Sequence, residues 1–573
     1  MNITLVNTFD VAGGAAKAAY RLHRGLQLIG ENSTMLVRHK SSADDTVTIA
    51  SPDTCTHPSE QAILFGTVIQ EHYINAHRTQ ISNTYFSYPY PGIDLVSHPA
   101  VRDADIINLH WISLFLSPVS LKRLVQSGKP VFWTLHDQWP FTGGCHYSAG
   151  CAKYVLDCHG CPQLAEDNYD LTAAILNDII SNVAGMPITV ISPSRWLAQR
   201  ARESAVFQKA RIEVIPNSIE TDIFKPMSKA EARTALGIEP EGIVLLCGSV
   251  NIGEKRKGFQ ELVDALRCSS ELAGKNKPTL VCYGTAMPKL DDVGMNVISL
   301  GYIHDLERLR AAYCSADMFL LPTTEDNLPN TMLESLSCGT PVVAFDTGGI
   351  PDVVINDRTG ITVPKGDTQA LGRAIVALSE NPRQRDFLGK NGRALMTEQF
   401  TLEKNAQKYT ALYQEVFNEF VTKRPSIAVQ ERLQEREGID APAVLGEHMQ
   451  RIYDQVLYKA LQEHALHMNE KSKEHRAHLE AVKELTEALK QADHERDAHT
   501  RSIHDLTEAL RKATEERAAH VHAIRDLKNA LSKANQDVDE AKTIINEMLI
   551  VMKRLPVRLV MRLLGIKLPK GIM

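Results

Sequence analysis

No stretch of this chain reaches the roughly 18–20 consecutive apolar residues that a membrane-spanning helix needs, so a bilayer-embedded core is not expected. Positive charge is not in excess either. The 63 Lys and Arg stand against 69 Asp and Glu, and a net charge of −6 removes the broad basic footprint of a nucleic-acid binder. The opening MNITLVNTFD has neither the charged nor the apolar region of a signal peptide. It predicts a cytoplasmic protein whose ten cysteines stay reduced. A full G-x-G-x-x-G is missing as well, which leaves a dinucleotide site without support.

What is present is a long alternation of strand and helix signals. With 573 residues the chain should hold more than one domain. Short apolar runs at residues 3–6, 106–109, 131–135, 188–191, 244–247, 280–283 and 342–345 are separated by amphipathic stretches such as 15–28 and 258–266. That is the pattern of parallel sheets with crossover helices. Four hundred residues exceed one doubly wound domain. A glycine-and-base loop recurs after residue 243, as a first glycine loop follows residue 7. The expected fold is therefore α/β, with two Rossmann-like doubly wound domains at 1–216 and 217–400 and a connector at 218–226. Aromatics at Phe400, Tyr409, Tyr413, Phe417 and Phe420 mark a helix over 401–420.

Beyond a linker or helical stretch at 421–469, composition shifts to charge, Ala, Leu and His. Leu485-Thr486-Glu487-Ala488-Leu489, Leu506-Thr507-Glu508-Ala509-Leu510 and Leu527-Lys528-Asn529-Ala530-Leu531 repeat every 21 residues, which is three heptads. A 3-4 seam then runs unbroken from Val482 to Ile545 and predicts a coiled coil over 470–547, hence a homo-oligomer. The tail 548–573 has no acid, and its bases are interleaved with Leu, Val, Ile and Met. Such a segment suits the inner face of an anionic membrane.

Five constellations carry chemistry. Residues 320–351 read LLPTTEDNLPNTMLESLSCGTPVVAFDTGGIP: a strand, an acidic loop with Glu325 and Asp326, and a helix opening at Asn330-Thr331-Met332. Open amides at a helix start suit phosphate, and Glu334 one turn later suits ribose hydroxyls. Gly13 and Gly14 open the first long helix and let backbone amides approach an oxyanion. Lys255-Arg256-Lys257-Gly258 follows the strand at 244–247 and offers cations for a diphosphate leaving group. His136 ends the strand at 131–135, where parallel sheets bind ligands, and His110 ends its neighbour in the same way. Lastly, Cys145, Cys151, Cys158 and Cys161 form a C-x5-C-x6-C-x2-C array. Structural zinc, free thiols and two disulfides are its three open states.

The acidic pair Asp326-x7-Glu334 resembles the acidic-x7-acidic signature of retaining nucleotide-sugar glycosyltransferases of family 4, which have the GT-B fold. Asp stands where the family usually has Glu, and Glu325 is one residue out of register. Ser249 stands at the family's Arg position, and Lys257 fits its Lys position. The segment HDQWPFTGGCHYSAGCAKYVLDCHGCPQL is similar to that of bacterial polysaccharide transferases. The resemblance implies transfer of a hexose, with retention, from a GDP- or UDP-linked donor to a saccharide or lipid-linked acceptor, in surface polysaccharide synthesis such as O-antigen or capsule. It implies that Glu334 holds the ribose, that Asp326 or Glu325 and His136 serve the donor sugar, and that Lys257 and Arg256 neutralise the diphosphate. The Asn330–Met332 amides and the Gly13-Gly14 loop would assist, and no cofactor is required for the chemistry. It further implies that the helix at 401–420 crosses back to the first domain. A sugar-nucleotide epimerase and a non-catalytic glycan-binding scaffold are the alternatives.

Overall fold

The computed structural model describes residues 1–422 apart from 83–84, 240, 252, 269–277 and 286–294. The predicted linker, coiled coil and basic tail lie outside the described residues.

Two wholly parallel sheets carry the molecule. The first has β1 (Asn2–Phe9), β2 (Asn32–His39), β3 (Val47–Ile49), β4 (Ile106–Leu109), β5 (Val131–Thr134), β6 (Ile188–Ser192) and β7 (Arg211–Val214), in the order β3-β2-β1-β4-β5-β6-β7. The second has β8 (Val244–Asn251), β9 (Thr279–Thr285), β10 (Asn296–Ser299), β11 (Met318–Leu321), β12 (Val342–Asp346) and β13 (Gly360–Pro364), in the order β10-β9-β8-β11-β12-β13. Each order runs outward from its first strand in both directions, which is the doubly wound arrangement and makes a crevice at the carboxyl ends of β1 and β8.

Period-2 alternation splits each strand between two cores. In the first sheet Ile107, Leu109, Val131 and Trp133 face one apolar layer. Ile3, Leu5, Ile106 and Phe132 face the other, together with Leu22 and Leu26 of the helix Gly14–Leu28. In the second sheet Leu246, Phe319 and Ala344 pack on one side and Leu245, Leu320 and Val343 on the other. Burial on both faces explains why these strands read as continuous apolar runs.

The helix Leu402–Thr422 packs beneath the first sheet, against the helix Gly14–Leu28. Tyr413 is fully buried there, and its hydroxyl accepts a hydrogen bond from Asn108 Nδ2 on β4 at 2.7 Å. Strand β8 extends to Asn251, through residues the sequence pattern assigns to a loop. Tyr283 and Thr285 of β9 continue to pair with it, past an irregularity between Gly248 and Asn251. Among the described residues, no helix is long and apolar enough to cross a membrane.

Candidate active site

A cavity of about 480 Å³ opens where the carboxyl ends of the two sheets face each other. Its first wall comes from the Gly13-Gly14 turn and the loops after β4 and β5, and its second from the loops after β8 and β11.

Two helix starts meet across this cleft. Gly13, at φ 90°, precedes the helix Gly14–Leu28, and Pro329 precedes the helix Asn330–Ser337; neither helix has a side-chain cap. Asn330 Nδ2 donates to the Gly14 carbonyl at 2.9 Å and so joins the two ends. The Met332 amide is already committed to the Pro329 carbonyl at 3.1 Å. The Asn330 and Thr331 amides are therefore the ones this helix turns to the cleft, and Met332 itself is buried in the core. Lys17 also lines the cleft, one turn beyond Gly13. Sequence reasoning missed it, although the helical i+4 spacing from the glycine turn was there to be read.

On the opposite wall Lys257 and Arg256 converge on one carboxylate. Asp326 Oδ2 lies 2.7 Å from Lys257 Nζ and 3.0 Å from Arg256 Nη1, and Tyr147 O–H donates to Asp326 Oδ1 at 3.1 Å. Burial pushes the Asp326 carboxyl up, but the two cations and these hydrogen bonds outweigh it and hold the group well below the usual carboxylate range. The Arg256 guanidinium also lies 4.5 Å above the Tyr147 ring and pairs with Glu254 at 2.9 Å. Gly258 closes this turn in the left-handed region, where an added Cβ would come within 1.8 Å of the Pro322 carbonyl oxygen.

The two neighbouring acids separate cleanly. Asp326 lines the cleft, whereas Glu325 turns away and accepts the Ala149 amide at 3.0 Å. The Glu325 carbonyl accepts from Arg256 Nη1 at 3.3 Å, but its side chain does not line the cleft. Glu334 lines the cleft with both oxygens engaged. Oε1 accepts from Arg21 Nη2 at 3.1 Å and Oε2 from Tyr313 O–H at 2.8 Å. Arg21, buried in the first helix, also pairs with Glu220 at 2.7 Å and so links both sheets to the connector. Ser249 lines the cleft too, and its buried hydroxyl has no hydrogen-bond partner among the described residues.

His136 and His110, rivals in the sequence, form a pair. Their rings stack at 5.3 Å, with His110 Nδ1 and His136 Nε2 3.0 Å apart. Burial lowers His136 to about 4, so it is neutral at physiological pH. Of the two, only His136 reaches the cleft. Asn327 Nδ2 caps its carbonyl at 3.2 Å.

Cys145, Cys151, Cys158 and Cys161 surround one small cavity behind this wall. All four are unbridged. Burial and neighbouring thiols raise Cys145 well above its ordinary value, and burial lifts Cys158 to about 12. Among the described residues, no three His, Cys, Asp or Glu side chains stand together as metal ligands. The loop they belong to carries Tyr147 and Ala149 to the two acids.

Comparison with known proteins follows the same division. A profile described as Glycosyltransferase Family 4 matches residues 12–223, and one described as Glycosyl transferases group 1 matches residues 241–381. A colanic acid biosynthesis glycosyl transferase of Escherichia coli K12 (WcaC, a provisional assignment) is 23% identical over 370 residues, covering 62% of this chain and 85% of its own. A GDP-mannose-dependent monoacylated alpha-(1-6)-phosphatidylinositol monomannoside mannosyltransferase of Corynebacterium glutamicum is 25% identical over 287 residues, covering 47% of this chain and 72% of its own. Among solved structures, sucrose-phosphate synthase of Thermosynechococcus elongatus is similar in fold, with a TM-score of 0.50 at 22% identity. The match covers 73% of this chain and 99% of that one.

Proposed function

The chain belongs to the family 4, group 1 glycosyltransferases of the GT-B fold, which use nucleotide sugars, and from that membership we propose that it moves a hexose from a GDP- or UDP-linked donor to a saccharide or lipid-linked acceptor in surface polysaccharide synthesis, with retention of configuration. One observation carries this reading. Two uncapped helix starts, Lys17, Lys257, Arg256 and Glu334 converge on a single cleft.

Donor diphosphate oxygens would lie between the amides of Gly14 and Ala15 and those of Asn330 and Thr331. The partial positive charge of both helix ends and the three cations favour an anion there. Glu334 is held by Arg21 and Tyr313 and retains lone pairs for ribose hydroxyls. Tyr283 and Tyr302 line the neighbouring end of the cleft and offer rings beside a nucleobase. Asp326 fixes Lys257 and Arg256 in place, so no reorganisation is needed as charge grows on the leaving phosphate. In the step itself the bond from the anomeric carbon to the phosphate oxygen breaks, and the acceptor oxygen bonds that carbon from the same face. The acceptor proton passes to the departing phosphate. The basic tail and the coiled coil are proposed to hold several such heads at an inner membrane surface.

Incubating the full-length protein with a panel of sugar nucleotides, and following nucleotide release with and without acceptor, tests the reading. Acceptor-dependent release with an axial or equatorial product linkage matching that of the donor is expected. Release of a free altered sugar without any acceptor would replace transfer with epimerisation.

A further inference from the structure

The first wall of the cleft holds a second, differently built cluster. His146 Nδ1 lies 2.7 Å from Asp137 Oδ2, and His146 Nε2 lies 2.8 Å from Ser87 Oγ. Asp137 also accepts from Trp111 Nε1 at 2.8 Å and from the Trp139 amide at 3.0 Å. These hydrogen bonds and the coulombic pull of His146 overcome burial and keep the Asp137 carboxyl below its ordinary value. An ionised carboxylate only accepts, so His146 presents an N–H to Asp137 on Nδ1. Ser87 Oγ spends one hydrogen bond on His146 Nε2 and keeps a lone pair for another hydroxyl.

Aromatic rings frame this polar floor. Trp111 stacks on Phe9 with ring centroids 6.2 Å apart and lies 5.4 Å from the His146 ring, while Tyr85 stands edge-on to His146 at 5.9 Å. Tyr85 is 67% exposed although Ser87 and His146 are buried, so the cluster has a rigid base and an open rim. Leu114 adds to the rim; it is 42% exposed with a φ of 63°, a conformation that is costly for leucine and is imposed by its surroundings. All of these residues line the same cleft as Glu334 and Lys257. His146 is also bonded in sequence to Tyr147, whose hydroxyl reaches Asp326.

We propose that Tyr85, Ser87, Trp111, Asp137 and His146 form the acceptor subsite, and that it takes an uncharged pyranose. One sugar hydroxyl donates to Ser87 Oγ, and the apolar face of the ring lies against Trp111 and Tyr85. The Asp137 carboxylate lies beside the Trp111 ring, 2.8 Å from its Nε1, and disfavours an acidic sugar. This assignment rests on the proposed transfer reaction, since it gives the second substrate a place in the same cleft. The role is binding; Ser87, His146 and Asp137 act by orienting the sugar.

The test uses saturation-transfer NMR on the full-length protein with methyl glucoside, methyl galactoside, methyl mannoside and methyl glucuronide, alongside titration with UDP and GDP. At least one neutral glycoside is expected to bind more tightly than the glucuronide. Tyr85→Ala, on the exposed rim, and Ser87→Ala are each expected to weaken that glycoside about tenfold while nucleotide affinity stays unchanged. Nucleotide binding without any glycoside binding, or glycoside binding indifferent to both substitutions, overturns the subsite and leaves the donor reading intact. Failure to bind either nucleotide removes the donor reading and the subsite with it. Labelling of Ser87 by a fluorophosphonate would also overturn the binding role, in favour of a nucleophile.

Discussion

At the scale of single residues, Asp326 ties two cations and a tyrosine hydroxyl to one point on the cleft wall. If Lys257 stabilises the leaving diphosphate in the transition state, Lys257→Ala should lower kcat by roughly 100-fold with a smaller change in donor KM. Steady-state kinetics with the preferred donor check this, and wild-type turnover would remove the lysine from the mechanism. Gly258 is a steric requirement: with φ at +70° and a Cβ position 1.8 Å from Pro322 O, Gly258→Ala must shift the loop that presents Lys257. A loss of about 2 kcal/mol or more in denaturant unfolding is expected. The histidines set a pH dependence. Burial lowers both His136 and His23 to about 4, below the ordinary value near 6.5. Between those limits the unfolded chain binds more protons than the folded one, so stability rises with pH there and is lost as pH falls from about 6.5 toward 4. Melting temperature followed across that window should decline, and His136→Gln should flatten part of the decline.

At the scale of elements, the helix Leu402–Thr422 is bound to the first sheet through Tyr409, Tyr413 and Ala406, all buried. Truncating Tyr413 to Ala removes a fully buried ring and the partner of Asn108, and should cost about 3–5 kcal/mol. Tyr413→Phe keeps the ring and should cost about 1 kcal/mol. Equal losses from the two would mean that the hydrogen bond, and not the packing, holds the helix. The loop after β5 was legible as a cysteine array, yet its contribution to the cleft is Tyr147 and the Ala149 amide. No spacing rule announces that, because both partners lie more than 170 residues away in sequence.

At the scale of the whole molecule, the seam at 482–545 predicts self-association. Light scattering on the full chain should report an oligomer at micromolar concentration, and removing residues from 470 onward should give a monomer. Joined tails would gain avidity for a bilayer that one short amphipathic segment lacks. Deleting residues 548–573 should abolish flotation with anionic liposomes while transfer to a soluble acceptor continues. Flotation of the truncated protein would assign the tail to a protein partner.

The sequence by itself determined two doubly wound sheets, their central strands and the acidic segment around Glu334, because buried parallel strands and uncapped helix starts leave local patterns. Only the tertiary structure decided which of Glu325 and Asp326 faces the cleft, that His110 and His136 are one pair, and that the Met332 amide is already taken. It also assembled Ser87, Asp137 and His146, and set Arg21 against Glu334. The physical reason is range. Backbone periodicity and capping are fixed by neighbours within about a helical turn. The charge and hydrogen-bond partners of a cleft are supplied by loops that only the closed sheets bring together.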